Sequence, residues 1–308
     1  MAAVADFSQK LKQSKKILFV GLDNSGKTSI ILCLKGDFAS LGLVNPTLLV
    51  ERSTFQYLDY DLLQHDLGGQ KQYIVNYFKE PGQYFDQADA CIYVADVQDA
   101  DRVNDALNYF KDVLAQFDAL GIKPSIHVLL HKAERYIQDA NPTDRETMEI
   151  LQTRMSAAVG GRFPLAFAMT TITQPWTITS AFATIFNEIL GRTEQYKKSI
   201  EDIAKATGAT FAALFDKHGI PVVQNAKGKV QDDIVNLAAP YFFKIKEILG
   251  QIKSGTTDKI AIEWDNYEFL VLAIPEPIPL TLLVVGITGK IDKNAAPGIV
   301  RPIIKTMF

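Results

Sequence analysis

The chain has 308 residues, 47% of them hydrophobic and 22% charged, a balance that excludes wholesale disorder. Its 32 Lys and Arg against 35 Asp and Glu leave a net charge of −3, so no broad basic face directs it to nucleic acid. The two cysteines, Cys33 and Cys91, sit in apolar stretches; this excludes a disulfide framework or a Cys-based zinc site and fits a reducing, cytoplasmic compartment.

In chain order, the N-terminal stretch has no long apolar run and reads as no secretory signal. No glycine follows Met1 and KTMF holds no prenylation cysteine, so any membrane attachment is expected to be peripheral, through a partner. Ile17–Val20 is a short apolar strand, followed by a Gly-rich turn and a helix from Lys27 to about Leu34. Leu62–Asp66 reads as the next strand. Cys91–Val97 and Ile126–His131 are continuous apolar runs, as in strands buried on both faces. Between them Leu107, Phe110, Val113, Leu114 and Phe117 recur at helical spacing within Val103–Leu120. Leu165–Thr171 is one more strand and Ile178–Leu190 an amphipathic helix. This alternation predicts a doubly wound parallel sheet. Gly191 and the polar stretch after it place a boundary there, giving domains 1–192 and 193–308.

The second domain is ordered differently. A helix at Ser199–Thr207 leads to a hairpin, Phe211–Phe215 and Ile220–Val223, around Asp216-Lys217-His218-Gly219. A helix is expected near Val230–Ile252. Three strands follow: Lys259–Glu263, Tyr267–Ile274 and Leu280–Thr288. Pro275, Pro277 and Pro279 divide the apolar stretch around them, whereas a spanning helix needs about 20 uninterrupted residues. A final helix runs from about Ala296 to Met307. The result is an α+β domain with a mostly antiparallel sheet.

Gly21-Leu22-Asp23-Asn24-Ser25-Gly26-Lys27-Thr28 matches GxxxxGK[ST] between a strand and a helix. The glycines let the backbone N–H groups curl toward a phosphate, and the helix N-terminus adds a favourable dipole. Lys27 is suited to the β- and γ-phosphates and Thr28 to Mg²⁺. Asp66-Leu67-Gly68-Gly69-Gln70 follows the next strand. Asp66 is suited to hold Mg²⁺ through water, Gly69 to offer its N–H to a γ-phosphate, and Gln70 to orient attacking water. Asn45-Pro46-Thr47 lies where a loop can fold over the nucleotide and bring the Thr47 hydroxyl to Mg²⁺. His131-Lys132-Ala133-Glu134 ends a strand, with a carboxylate able to accept from guanine N1 and N2. Thr170-Thr171 ends the next strand, at a base-side loop. No arginine in these motifs is placed to supply transition-state charge in cis, so slow intrinsic turnover is expected.

GLDNSGKTS, NPT and DLGGQ, in this order, resemble the Ras-superfamily small GTPases, nearest to the Arf and Rag/Gtr branches. His131, in place of the usual Asn, is Rag-like. The order of elements after residue 192, with the hairpin Ala213–Val223, resembles a roadblock/LC7 domain. The resemblance covers essentially the whole chain. It implies an α/β P-loop NTPase domain followed by an α+β roadblock/LC7 (profilin-like) domain. It also implies GTP/GDP as ligand with Mg²⁺. Nucleotide contacts are implied at Gly21, Asp23, Asn24, Ser25, Gly26, Lys27, Thr28, Ser29, Thr47, Gly69, His131, Lys132, Glu134, Thr170 and Thr171. Catalysis is implied for Gln70 and Lys27, and Mg²⁺ contact for Thr28, Thr47 and Asp66. Dimerisation through the second domain, with a second copy or another Rag-like or roadblock protein, and dependence on activating and exchange proteins are implied as well. At the family's guanine-reading Asp this chain has Glu134, one methylene longer. A non-hydrolysing nucleotide-binding scaffold stands as the alternative.

Overall fold

The computed structural model describes residues 15–37, 40, 50–58, 60–134, 142–191, 193–228, 231, 234–235, 259–276, 278–294 and 296–307. The chain divides into two compact units, Met1–Ala181 and Phe182–Phe308. The NPT segment with Thr47, and most of the helix expected at Val230–Ile252, fall outside the described residues.

The first unit is built on a six-stranded sheet. Its strands are β1 (Lys15–Val20), β2 (Val50–Tyr57), β3 (Tyr60–Leu67), β4 (Ala90–Asp96), β5 (Ser125–His131) and β6 (Leu165–Thr170). The spatial order is β2-β3-β1-β4-β5-β6, parallel throughout except that β2 runs antiparallel to β3. The sheet is therefore mixed, not the wholly parallel one expected. The strand missed is this edge: VERSTFQY alternates Phe55 and Tyr57 inward with exposed Glu51, Arg52 and Gln56. That is the pattern of a half-buried edge strand, not of the apolar runs that mark central ones.

The helices of this unit are α1 (Lys27–Leu34), α2 (Lys71–Lys79), the single turn α3 (Pro81–Tyr84), α4 (Val103–Leu120), α5 (Pro142–Val159) and the start of α6 (Pro175–Leu190). One side of the sheet supplies Leu18, Val20, Cys91, Tyr93, Ile126 and Val128 to a core with Phe110, Val113 and Phe117 of α4 and Met148, Leu151, Met155 and Val159 of α5. The alternate residues Ile17, Phe19, Ile92, Val94 and Leu129 are buried too, which is why β1, β4 and β5 read as unbroken apolar runs. Cys33 and Cys91 are buried and not disulfide-bonded.

The second unit holds a five-stranded antiparallel sheet. Its order is β8 (Pro221–Gln224), β7 (Phe211–Phe215), β11 (Leu280–Ile287), β10 (Tyr267–Ile274) and β9 (Lys259–Trp264). The expected hairpin is present as β7–β8, with a bulge at Leu214/Phe215. β10 and β11 pair from Tyr267↔Ile287 to Ile274↔Leu280, so the proline-divided stretch forms two strands, as the prolines require. Helix α7 (Thr193–Thr207) packs on β7, β8 and α8 (Ala296–Lys305).

Candidate functional site

Parallel strands leave their carboxyl ends on one edge, and a ligand crevice forms where the strand order reverses. Here β1 has β3 on one side and β4 on the other. Phe19 pairs with Asp66 and Val20 with Tyr93; further along the edge Asp96 pairs with His131 and His131 with Thr170. Every described motif singled out in the sequence therefore emerges along a single edge.

The loop after β1 is shaped by its glycines. A Cβ on Gly21 would lie 2.3 Å from the Val94 carbonyl oxygen. Asn24 and Gly26 both have positive φ, 58° and 94°, so the loop turns tightly before α1 begins. Lys27 is buried, and its ammonium donates to the Gly21 oxygen at 3.1 Å and the Leu22 oxygen at 2.9 Å. Burial lowers its pKa, and the charges of Asp66 and Asp23 pull the other way. The Thr28 hydroxyl donates to Asp66 Oδ2 at 2.8 Å, so the two oxygens expected at Mg²⁺ converge, one from a helix and one from a strand end. Ser25 is 2% exposed, and its hydroxyl has no hydrogen-bond partner among the described residues. Ser29 follows in the first turn, half-buried.

The DLGGQ turn lies directly on this loop. The Asp23 N–H donates to the Gly69 oxygen at 3.2 Å. A Cβ on Gly69 would come within 2.1 Å of the Asp23 nitrogen. Gln70 is half-buried at the N-terminus of α2.

The base-side residues divide in two. His131 is 2% exposed and shares a 3.0 Å hydrogen bond from Nδ1 with Thr170 Oγ1. Its ring sits where a Cβ on Gly26 would be, 2.5 Å from Cδ2, so it braces the phosphate loop from below. Burial, then the Lys132 charge, brings its pKa down to about 4, with Glu134 opposing. Lys132 stands at φ 62° and its ammonium pairs with Asp96 Oδ2 at 2.6 Å. Gln98 donates to the Lys132 carbonyl at 2.8 Å. Glu134 accepts from the Thr171 hydroxyl at 2.8 Å, and the Thr171 N–H is held by Thr177 Oγ1 at 3.0 Å.

One residue the motifs omit also reaches the loop. Arg102 ends the 3₁₀ turn Ala100–Arg102 after β4. Its guanidinium bonds Asp23 Oδ1 at 2.6 Å, the Asp23 carbonyl at 3.1 Å and Asp99 Oδ2 at 2.6 Å. The guanidinium is engaged by Asp23 and Asp99, which differs from a free arginine supplying transition-state charge. The 79 positions between Asp23 and Arg102 hide the pair from any local pattern.

A phosphate loop, a strand-end carboxylate hydrogen-bonded to its threonine, and a base-side loop on one sheet edge describe a P-loop nucleotide site. The model of the Gtr1/RagA G protein conserved region matches residues 16–249. The chain belongs to the Gtr1/RagA G protein family. The family implies a GTP-binding switch. ADP-ribosylation factor-like protein 2 of Arabidopsis thaliana is 35% identical over 126 residues, 41% of this chain and 64% of that protein. The protein of that name in Dictyostelium discoideum is 36% identical over 111 residues, 35% of this chain and 57% of its own length. The chain thus spans about three-fifths of these relatives. Among solved structures, the Arl6 BBS3 small GTPase from Trypanosoma brucei with bound GppNp aligns at TM-score 0.46 and 21% identity, over 57% of this chain and 97% of that one. No helix among the described residues is long and apolar enough to cross a membrane.

Proposed function

We propose that this Gtr1/RagA-family chain is a GTP/GDP-binding switch with slow, Mg²⁺-dependent GTP hydrolysis. In this reading it dimerises through a roadblock/LC7 domain at 193–308 and recruits partners according to its nucleotide. The observation that carries the reading is the convergence of Lys27, the Thr28–Asp66 pair and the Gly69 backbone on one glycine-shaped loop. The buried, unsatisfied Ser25 hydroxyl fits a site made for a polar ligand.

Thr28 and Asp66, joined by Thr47, would hold Mg²⁺, which neutralises phosphate charge when bound. Lys27 exchanges its two carbonyl acceptors for phosphate oxygens; as a buried cation it gains more from that exchange than an exposed one would. The loop N–H groups orient the phosphates, and Gln70 orients the attacking water. Lys132 covers the base and Glu134, steadied by Thr171, reads its edge. Gly69 bonds the loop through its carbonyl, so a γ-phosphate held by its N–H would couple this turn to the phosphate loop. That coupling is how the turn would report nucleotide state. The antiparallel sheet of the second unit, with α7 and α8, supports the roadblock assignment through its element order. Activating and exchange proteins, and membrane contact through a partner, belong to this same reading.

Calorimetric titration of nucleotide-free protein with GDP, GTP and ADP, each with Mg²⁺, tests it. Guanine nucleotides should bind at least about a hundredfold more tightly than ADP, as expected where buried polar groups read the base edge. Single-turnover hydrolysis should run at about 10⁻⁴–10⁻² s⁻¹ without a partner and slow further in Gln70→Leu. Equal binding of ADP and GDP removes the guanine assignment. Tight binding with hydrolysis unaffected by Gln70→Leu moves the chain to the scaffold reading.

A further inference from the structure

A carboxylate on a phosphate loop opposes the loop's purpose. Asp23 sits third in the loop, exposed, with its N–H and carbonyl both part of the turn that curls before Lys27. Near a polyphosphate its negative charge repels the ligand unless something cancels it. The only cation that the described hydrogen bonds place on that carboxylate is Arg102. The contact is not a single surface ion pair. One guanidinium nitrogen bonds the carboxylate and another the main-chain oxygen of the same residue, while Nε is fixed by Asp99. Asp99 in turn caps the 3₁₀ turn by accepting the Arg102 N–H at 3.3 Å, so side chain and backbone of Arg102 are both anchored. Asp96 at the end of β4 and Gln98 just after it tie this segment to the base-side loop: Gln98 donates to the Lys132 carbonyl, and Lys132 pairs with Asp96. Arg102 therefore hangs from a braced segment and grips the phosphate loop by two atoms of one residue. The planar fork presents its donors already spaced for such a hold, whereas an ammonium is a point charge with no fixed donor geometry.

We infer that Arg102 is a positioning residue for nucleotide retention: it cancels the Asp23 charge and fixes the Asp23 backbone so that the loop presents its N–H groups to phosphate. This rests on the guanine-nucleotide reading above. The charge half of this role runs through the Asp23 carboxylate, so removing that charge must make Arg102 partly dispensable, while the hold on the Asp23 carbonyl remains.

The test measures release of a fluorescent GDP analogue with Mg²⁺ from the full chain in wild type, Arg102→Ala, Arg102→Lys, Asp23→Asn and the double variant Arg102→Ala/Asp23→Asn. Arg102→Ala should release about tenfold faster, the scale of one charge-assisted hydrogen bond. Arg102→Lys should fall between it and wild type, since charge is kept and the fork is lost. The double variant should recover part of the loss, the share due to the uncancelled charge, and raising the salt should narrow the gap between Arg102→Ala and wild type. Melting of the nucleotide-free proteins separates this from a folding defect, and Arg102→Lys keeps the test open if the alanine variant fails to fold. Release from Arg102→Ala within twofold of wild type overturns the inference alone. So does a loss that Asp23→Asn leaves unchanged. A wild-type chain that binds neither GDP nor GTP overturns the nucleotide reading and the inference with it.

Discussion

Gly26 combines two demands that only glycine meets. Its φ of 94° lies where a side chain is strained, and a Cβ would meet the buried His131 ring at 2.5 Å. The first cost is of order 1 kcal/mol and the second, an overpacked contact, roughly 1–3 kcal/mol. Gly26→Ala should therefore destabilise the first unit by about 2–4 kcal/mol and remove nucleotide binding. His131→Ala in the same chain relieves the contact but not the backbone strain, so the double variant should regain part of the stability and little of the binding. Chemical denaturation of the two variants against wild type checks this; a Gly26→Ala protein as stable as wild type would contradict the bracing role assigned to His131. The pair also shows why His131 was read from sequence as a nucleotide contact: its motif marks its place at the base-side strand end. Only the packing shows that its ring faces the phosphate loop.

Among the elements, α5 is the instructive omission. PTDRETMEILQTRMSAAV is polar enough to pass for a connector, and its composition alone assigns no element. Yet Met148, Leu151, Met155 and Val159 fall three, four and four residues apart, one stripe of a helix, and all four enter the core with α4. Met155, fully buried, should cost about 2–5 kcal/mol as Met155→Ala. Its neighbour Arg154, exposed and bonded to Asn104 at 2.9 Å, should change stability by less than about 0.5 kcal/mol as Arg154→Ala. Equal effects in thermal unfolding would mean that α5 does not dock by this stripe. The central strands were legible because burial on both faces leaves them few polar positions, and the phosphate loop because its chemistry needs fixed spacing. Edge strand β2 and helix α5 each bury one side, so their signal is a period rather than a run. The Arg102–Asp23 pair has no local signal, because it depends on where β4 ends relative to β1.

Across the whole chain, buried histidines of the first unit and Asp216 of the second respond to pH in opposite directions. His65, His127 and His131 of the first unit are each brought down to about 4, chiefly by burial. They are neutral in the fold, so the stability they permit is complete above their ordinary 6.5 and lost as pH falls through 4. Asp216 of the second unit behaves the other way. It is 1% exposed in the β7–β8 turn, and burial raises its carboxyl from 3.8 to about 7 even though backbone N–H groups of Ile220 and His218 oppose the shift. Oδ1 accepts from His218 at 2.9 Å and Ile220 at 2.8 Å, whereas Oδ2 has no hydrogen-bond partner among the described residues. With the folded pKa above the unfolded one, its contribution is whole below about 4 and lost as pH rises through 7. At pH 8 the hairpin therefore carries a buried charge with one oxygen unsatisfied. Asp216→Asn keeps the acceptor that Oδ1 supplies and removes the charge. It should stabilise the hairpin by about 1–3 kcal/mol at pH 8, the usual scale for an unsatisfied buried group, and by little at pH 4.5. Hydrogen exchange of the Ala212–Leu214 amides in the full chain, variant against wild type at each pH, reads this directly. Slower exchange in the variant at pH 8 that vanishes at pH 4.5 supports the charged-carboxylate account. A difference independent of pH would assign the effect to altered turn packing instead.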